Sequence, residues 1–334
     1  MPRPTLRDVA ALAGVSHQTV SRVINNNEAV LPDTRERVMQ AIHKLGYLPN
    51  AIARSMAQGR TCTLACLAPN LTDFTFASNI QGAESAARAR NYFVLSASAE
   101  TVEEYNTLLD ELIGHRRVDG VILINPYLES REFTLPANIP LVYLGGRENT
   151  RAHCVYLDNR DGAYQAARHL LDYRHRLIGQ VSGPAAEDCT QERSLGFEMA
   201  LREAGIEPDP LYTYEGDWSA TSGYQALRYF LQRKPAPSAI VAQNDRMAVG
   251  VIRAARDAGL RVPEDISVIG FDDMPLASYF DPPLTSMRQD TFQFGAAAAG
   301  MLIDILENPG NPRQVLRFPA SLVVRKSTAL RKGS

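Results

Sequence analysis

Apolar residues recur every three or four positions through the first 46 residues, a spacing that predicts three short helices. The first covers Leu6–Ala13, with Thr5 as N-cap and Asp8 at N3, close to a capping box. Gly14 ends it and permits a tight turn. Ser16 caps the second helix, whose inward positions are Val20, Val23 and Ile24. The third runs from Pro32, suited to a first helical position, to Leu45, with Val38, Ile42 and Leu45 on its apolar face and Gly46 as its stop. Two helices joined by a short glycine turn and backed by a third form a helix-turn-helix unit. The stretch Tyr47 to Ala57 follows; Asn50 caps a single short helix ending near Gly59, too small to be stable alone, so it reads as a linker that becomes helical when held.

From Thr61 the pattern becomes alternating strand and helix. Apolar runs stand at Leu64–Ala68, Phe93–Ala97, Val121–Ile124, Leu141–Leu144, Leu177–Val181, Ala239–Ala242 and Ile266–Phe271. Helical stretches separate most of them, at 76–90, 102–115, 160–172, 191–204, 220–232 and 245–258. This alternation predicts an α/β body of parallel sheets covered by helices, long enough for two lobes.

Composition sharpens this picture in one respect. The net charge is −2, but residues 1–60 hold eight Lys or Arg against four Asp or Glu, leaving +4 there and −6 in the rest. A basic end on an acidic body suits an arm that meets a polyanion. No apolar run reaches membrane-span length, and Met1-Pro2-Arg3-Pro4 leads into an amphipathic pattern without a signal-peptide core, so a cytoplasmic protein is expected. The four cysteines, Cys62, Cys66, Cys154 and Cys189, show neither Cys-x-x-Cys nor zinc spacing; Cys62 and Cys66 read as small core residues on one face of a strand.

In a helix-turn-helix the second helix sets its first residues against base edges in the major groove. Here these are His17, Gln18 and, one turn on, Arg22. Glutamine pairs bidentately with adenine and arginine with guanine. Ser16, Thr19, Ser21, Asn25 and Thr34 are short donors suited to phosphates, which fix register.

The segments "TLRDVAALAGVSHQTVSRVINN" and "TRERVMQAIHKLGYLPNAIARSM" resemble the amino end of the LacI/GalR family of bacterial transcription regulators. "RRVDGVIL", "EGDWSATSGY", "AQNDRMAVG", "GLRVPEDISVIGFDDMPLASYFDPPLTSMRQD" and "SLVVRKST" resemble family segments of the body, so the likeness spans nearly the whole chain. It implies a helix-turn-helix domain over 1–46, a hinge helix and linker over 47–60, and a two-lobed, periplasmic-binding-protein-like core. The amino lobe would take 61–157 with 288–317, and the carboxyl lobe 158–287 with 318–330. It adds Thr5, Asn50, Ala53 and Met56 to the DNA-facing set. Paired hinge helices of the family open the minor groove with an apolar wedge, and Met56 stands where leucine is usual. Leu31 replaces a usual serine cap, with Pro32 and Asp33 partly offsetting the loss. The implied partner is a pseudopalindromic double-stranded operator, bound by a homodimer whose face uses the helices around Ser78–Arg90 and Thr291–Leu306. No leucine heptads follow the last strand, so a dimer rather than a tetramer is expected.

Asn244 and Asp272 follow strands, at the carboxyl ends where open α/β sheets bind ligands. Arg193 lies in the first turn of a helix, and Trp218 stands in Glu-Gly-Asp-Trp before another. Carboxylate, amide, guanidinium and indole suit a polyol, whose vicinal hydroxyls need paired donors and acceptors and whose ring needs an apolar plate. Each has a plainer alternative: Arg193 paired with Glu192 or Glu198, Trp218 in the core, Asp272 as a cap. The resemblance matches all four to effector contacts and adds Gln289, in a crossing strand. "NLTDFTFASNIQGAE" departs from the usual Asn-Pro-Phe-Phe version and leaves Phe74 and Phe76 as candidate walls. Arg147, after Gly145-Gly146, would favour an anionic effector such as a sugar acid or phosphate. The expectation is thus a small-molecule effector of carbohydrate type, with a non-sugar co-repressor as the alternative and either sign of control open.

The chain shows no Gly-x-Gly-x-x-Gly after its first strand and no Walker loop; Ser182-Gly183-Pro184 is no nucleophile elbow, and its six histidines lack metal spacing. Neither an enzyme nor a cofactor or metal protein is therefore expected. A transport-type binding protein would explain the body but not the first 60 residues.

Overall fold

A computed structural model of the chain describes residues 4–24, 29–47, 59–124, 139–145 and 153–331. The chain divides into two compact units, Met1–Thr61 and Cys62–Ser334.

The small unit holds α1 (Leu6–Ala13), α2 (His17–Ile24) and α3 (Pro32–Leu45). Thr5 and Asp8 close a full capping box on α1, and Gly14 ends it in the left-handed region at φ 65. Helix α3 begins at Pro32 with no side-chain cap from Leu31, and Gly46 stops it at φ 59. Val9, Val20, Val23 and Val38 form the core. Tyr47, which the sequence pattern assigns to the linker, is buried with them.

The large unit carries two six-stranded sheets. The first uses β1 (Thr63–Ala68), β2 (Phe93–Ser98), β3 (Gly120–Ile124), β4 (Leu141–Leu144), β5 (His153–Leu157) and β11 (Val315–Phe318), in the order β11-β5-β4-β3-β1-β2, all parallel. The second uses β6 (Ile178–Ser182), β7 (Thr213–Glu215), β8 (Ala239–Ala242), β9 (Ser267–Asp272), β10 (Thr285–Arg288) and β12 (Ser321–Val323), in the order β12-β10-β9-β8-β6-β7. Only its β10–β12 pair is antiparallel. Helices α4 (Phe74–Ala89), α5 (Val102–Leu109) and α10 (Thr291–Glu307) cover the first sheet. Helices α6 (Asn159–Asp172), α8 (Ala220–Phe230) and α9 (Asp245–Asp257) cover the second, and α7 (Asp188–Glu203) packs on α6. Strands β3, β4 and β8 are buried along their whole length, as parallel strands covered on both faces must be. The chain passes between the sheets after Leu157, Arg288 and Phe318.

Several expectations shift. Strands β5, β7, β10, β11 and β12 had no recognisable apolar run: "HCVYL" and "TSMR" mix polar residues into short strands held by their neighbours. Helix α7 starts at Asp188, three residues earlier than the pattern predicts, so Arg193 lies in its second turn. Asp272 is the last residue of β9 rather than the one after it, and Gln289 follows β10 rather than lying within a strand. Cys66 is buried in β1, but Cys62 precedes the strand in left-handed backbone at φ 51, its N–H donated to Asp119 Oδ2 at 2.8 Å.

Candidate functional site

The small unit presents one polar helix face. Ser16 Oγ accepts the Thr19 N–H at 3.1 Å and shares a 2.9 Å hydrogen bond with Thr19 Oγ1, which caps α2. Val20 and Val23 turn inward, leaving His17, Gln18 and Arg22 exposed. Arg22 has no ion-pair partner among the described residues. Ser21 and Thr34 are half-buried. Thr5 is exposed, but its hydroxyl donates to Asp8 Oδ2 at 2.7 Å, so its proton serves the cap first. Those Thr5 hydrogen bonds hold the Asp8 carboxyl below the usual carboxylate range. Asn25, Asn50, Ala53 and Met56, and Arg147 of the body, lie outside the described residues.

In the large unit a cleft of about 240 Å³ opens at the carboxyl ends of β1, β6, β8 and β9. Phe76, Arg193, Trp218, Asn244, Asp272 and Gln289, all singled out from the sequence, line it. Phe74 does not: at the first position of α4 it turns away from the wall that Thr75 and Phe76 supply.

Arg193 is buried, and the two acids that the sequence offers as its ion-pair partners are engaged elsewhere, Glu192 with Arg160 and Glu198 with Arg202. Its Nε donates to Asn159 Oδ1 at 2.8 Å and its Nη1 to the Gln243 carbonyl. The guanidinium stacks 3.7 Å over the Phe271 ring, with Trp218 5.8 Å away. Gln243 itself links the walls: Gly183 N–H donates to its Oε1, and its Nε2 donates to Ser194 Oγ.

Asp272 sits at φ 112 and Asp273 at φ 53, a left-handed turn that costs about 1–3 kcal/mol per residue and is typical of functional sites. The turn is clamped from behind. Asp245, fully buried, accepts Ser286 Oγ–H at 2.6 Å and Met274 N–H at 2.8 Å, and Asp273 pairs with Arg288 and Arg325. Burial pushes the Asp245 carboxyl up to about 7. Burial also raises the Asp272 carboxyl well above its ordinary range, against the pull of Arg193 and of Gln289, whose Nε2 donates to Oδ1 at 2.6 Å. Asn244 caps α9 with its Oδ1 and donates Nδ2–H to the Trp218 carbonyl at 3.0 Å. That leaves one amide hydrogen for a ligand.

Trp218, the single tryptophan, adopts φ 67, and its indole lies against the backbone of Gly183, where any Cβ would collide with the ring. Asn70, Asp73, Thr75, Glu187, Cys189, Asp217 and Arg246 complete the wall without having stood out in the sequence. Their signal was weak because they stand on loops and first helical turns without periodicity. Among the described residues no cluster of metal-ligating side chains occurs, and no helix is long and apolar enough to cross a membrane.

Residues 5–50 match the lacI family of bacterial regulatory proteins, and residues 167–328 match a periplasmic binding protein-like domain. Catabolite control protein A of Priestia megaterium is 34% identical over 97% of this chain and 99% of its own. The HTH-type transcriptional repressor PurR of Edwardsiella ictaluri is 36% identical over 97% of both. Among solved structures, the lac repressor dimer bound to operator and the anti-inducer ONPF is 31% identical, with a TM-score of 0.86 over 98% of this chain and 100% of that one. The transcriptional regulator CelR in complex with cellobiose is 35% identical, with a TM-score of 0.75 over 97% and 100%. The likeness covers both the helix-turn-helix unit and the body of parallel sheets. The chain belongs to the LacI family of bacterial transcription regulators. It is a DNA-binding regulator of repressor type and not an enzyme.

Proposed function

We propose that the chain is a homodimeric repressor that reads a pseudopalindromic operator with α2 and is controlled by an uncharged carbohydrate bound in the cleft. His17, Gln18 and Arg22 meet base edges, while Ser16, Thr19, Ser21, Asn25, Thr34 and Thr5 meet the backbone. Asn50, Ala53 and Met56 serve the minor groove. The observation that carries the effector reading is the grouping of Asp272, Gln289, Asn244 and Arg193 around the face of Trp218. Paired acceptors and donors beside an apolar plate suit vicinal hydroxyls on a ring. Phe76 supplies a further apolar wall.

The described wall favours a neutral, hydrogen-bonding ligand over an acid, because carboxyl groups (Asp73, Glu187, Asp217 and Asp272) outnumber the guanidinium groups of Arg193 and Arg246. Effector binding shifts the two lobes and with them the linker; the coupling to DNA is typically about 1–3 kcal/mol and reciprocal. The dimer face uses α4 and α10, extended by edge strand β2, where Phe93 is 76% exposed. Isothermal titration with neutral sugars, sugar acids and purines, followed by gel shifts with each binder, tests the reading. A neutral sugar that binds and alters the shift supports it; binding confined to acids or purines refutes it.

A further inference from the structure

We propose that Glu187 sets the chemical class of the effector, accepting a hydrogen bond from a hydroxyl or amine of an uncharged or aminated sugar and keeping phosphates and carboxylates out. This rests on the reading of the cleft as a carbohydrate site.

Glu187 occupies the N-cap position of α7, at φ −79 and ψ 134, yet its side chain makes no capping hydrogen bond. It turns into the cleft instead and is 8% exposed. One carboxylate oxygen is fixed: Trp218 Nε1–H donates to Oε1 at 2.8 Å. Among the described residues the other, Oε2, accepts only from the Cys189 thiol, at 3.6 Å, a weak donor. No guanidinium or ammonium is hydrogen-bonded to Glu187 among the described residues. The two arginines of the wall are occupied, Arg246 with Asp73 and Arg193 with Asn159 and the Gln243 carbonyl. A largely buried acceptor with spare lone pairs calls for a donor, and a ligand in the cleft can supply it in place of solvent. A phosphate or carboxylate at the same place would set like charges together in a desolvated wall. Burial raises the Glu187 carboxyl above its ordinary range, while the Trp218 and Cys189 hydrogen bonds and Arg193 pull it down. The cysteine beside it stays a thiol, its own value pushed to about 12 by burial.

Trp218 reports the test directly, because it is the single tryptophan and donates to Glu187. The full-length protein is titrated by tryptophan emission with D-glucose, D-galactose, D-ribose and cellobiose, then with D-glucosamine, glucose 6-phosphate and gluconate. Wild type, Glu187→Gln and Glu187→Asp are compared, with circular dichroism to verify the fold. The expected result is saturable binding of at least one neutral or amino sugar and exclusion of the phosphate and the acid. Glu187→Gln then weakens the bound sugar about tenfold and narrows its preference over the anions, while Glu187→Asp keeps the exclusion. Anions that bind wild type as well as neutral sugars, or a Glu187→Gln protein with unchanged preference, overturn the role of Glu187 alone. A response to none of these sugars overturns the carbohydrate reading and the proposal together.

Discussion

Asp73 and Arg246 meet across the cleft: Arg246 Nη2 lies 2.5 Å from Asp73 Oδ2. Asp73 sits between β1 and α4, where its Oδ1 caps the helix by accepting the Thr75 N–H at 2.8 Å. Arg246 is the second residue of α9, on the opposite wall. One carboxylate therefore both starts a helix of one lobe and holds the other lobe. The pair is partly exposed on the arginine side, so its worth is about 0–1 kcal/mol. That shifts an open–closed equilibrium by up to about fivefold. Asp73→Asn keeps the cap and loses the charge; Arg246→Gln loses the partner. Each is expected to raise the radius of gyration of the unliganded protein in X-ray scattering. The double variant should do no more than either alone.

Arg193 is expected to be needed for effector binding and for the local fold. Arg193→Ala leaves the Gln243 carbonyl and Asn159 Oδ1 without their donor, each worth about 1–3 kcal/mol when buried. Effector affinity should fall about ten- to a hundredfold, with a lower melting temperature. Arg193→Lys should not restore affinity, since a point-like ammonium cannot reproduce the planar stack on Phe271.

Gly183→Ala places a methyl group inside the Trp218 ring. The indole must leave its seat, at a cost of about 1–3 kcal/mol. The expected readouts are a shift in tryptophan emission and weakened sugar binding, with DNA binding in the absence of effector unchanged.

Two buried histidines hold the carboxyl-terminal segment. His175 Nε2–H donates to the Ala329 carbonyl at 3.0 Å while Nδ1 accepts from Ser238 Oγ at 2.9 Å, and His169 Nε2 pairs with Thr328 Oγ1 at 2.9 Å. Burial holds both below their ordinary value near 6.5. A histidine depressed in the folded state takes up its proton more readily when unfolded, so it stabilises the fold above about pH 6.5 and loses that contribution as pH falls. The buried carboxyls of Asp245, Asp272 and Glu187, raised in the fold, act in the opposite sense, so the histidine contribution is read by comparison: in urea melts from pH 7.5 to 5, His175→Gln should gain stability relative to wild type as the pH falls.

The fold was legible in the sequence wherever a regular period ran through it. The valines of α1–α3, Gly14 and Gly46, and the buried runs of β1, β3, β4 and β8 could be read directly. Strands β10 and β12 could not, because Thr285, Ser286 and Ser321 look like loop residues; only the fold brings Ser327 and Thr328 to Thr285, Asp245 to Ser286, and Arg288 opposite Ser321. In the cleft, Asp272 and Asn244 were found by their position after strands, and Trp218 as an indole placed before a helix. Glu187 and Arg246 were not, because acidic and basic residues at helix starts are common and only the tertiary fold turns these two inward. Phe74 misled because two aromatics so close together cannot both face one wall from the first turn of a helix.

On DNA, Gln18→Ala and Arg22→Ala should each change base preference at one operator position by about 1–3 kcal/mol. Ser16→Ala should weaken all sequences alike by removing both the α2 cap and a phosphate donor. Competition footprinting over randomised duplexes separates the two kinds of effect.

The most direct test is fluorescence anisotropy of the full-length protein on its own upstream duplex, titrated at several salt concentrations with and without whichever sugar changes Trp218 emission. Binding should weaken steeply with salt. It should also change about five- to 150-fold on sugar addition, and Arg193→Ala should keep the DNA binding while losing the sugar response. Duplex binding that is indifferent to every cleft ligand, or a sugar response that survives Arg193→Ala, would contradict control of DNA from the cleft.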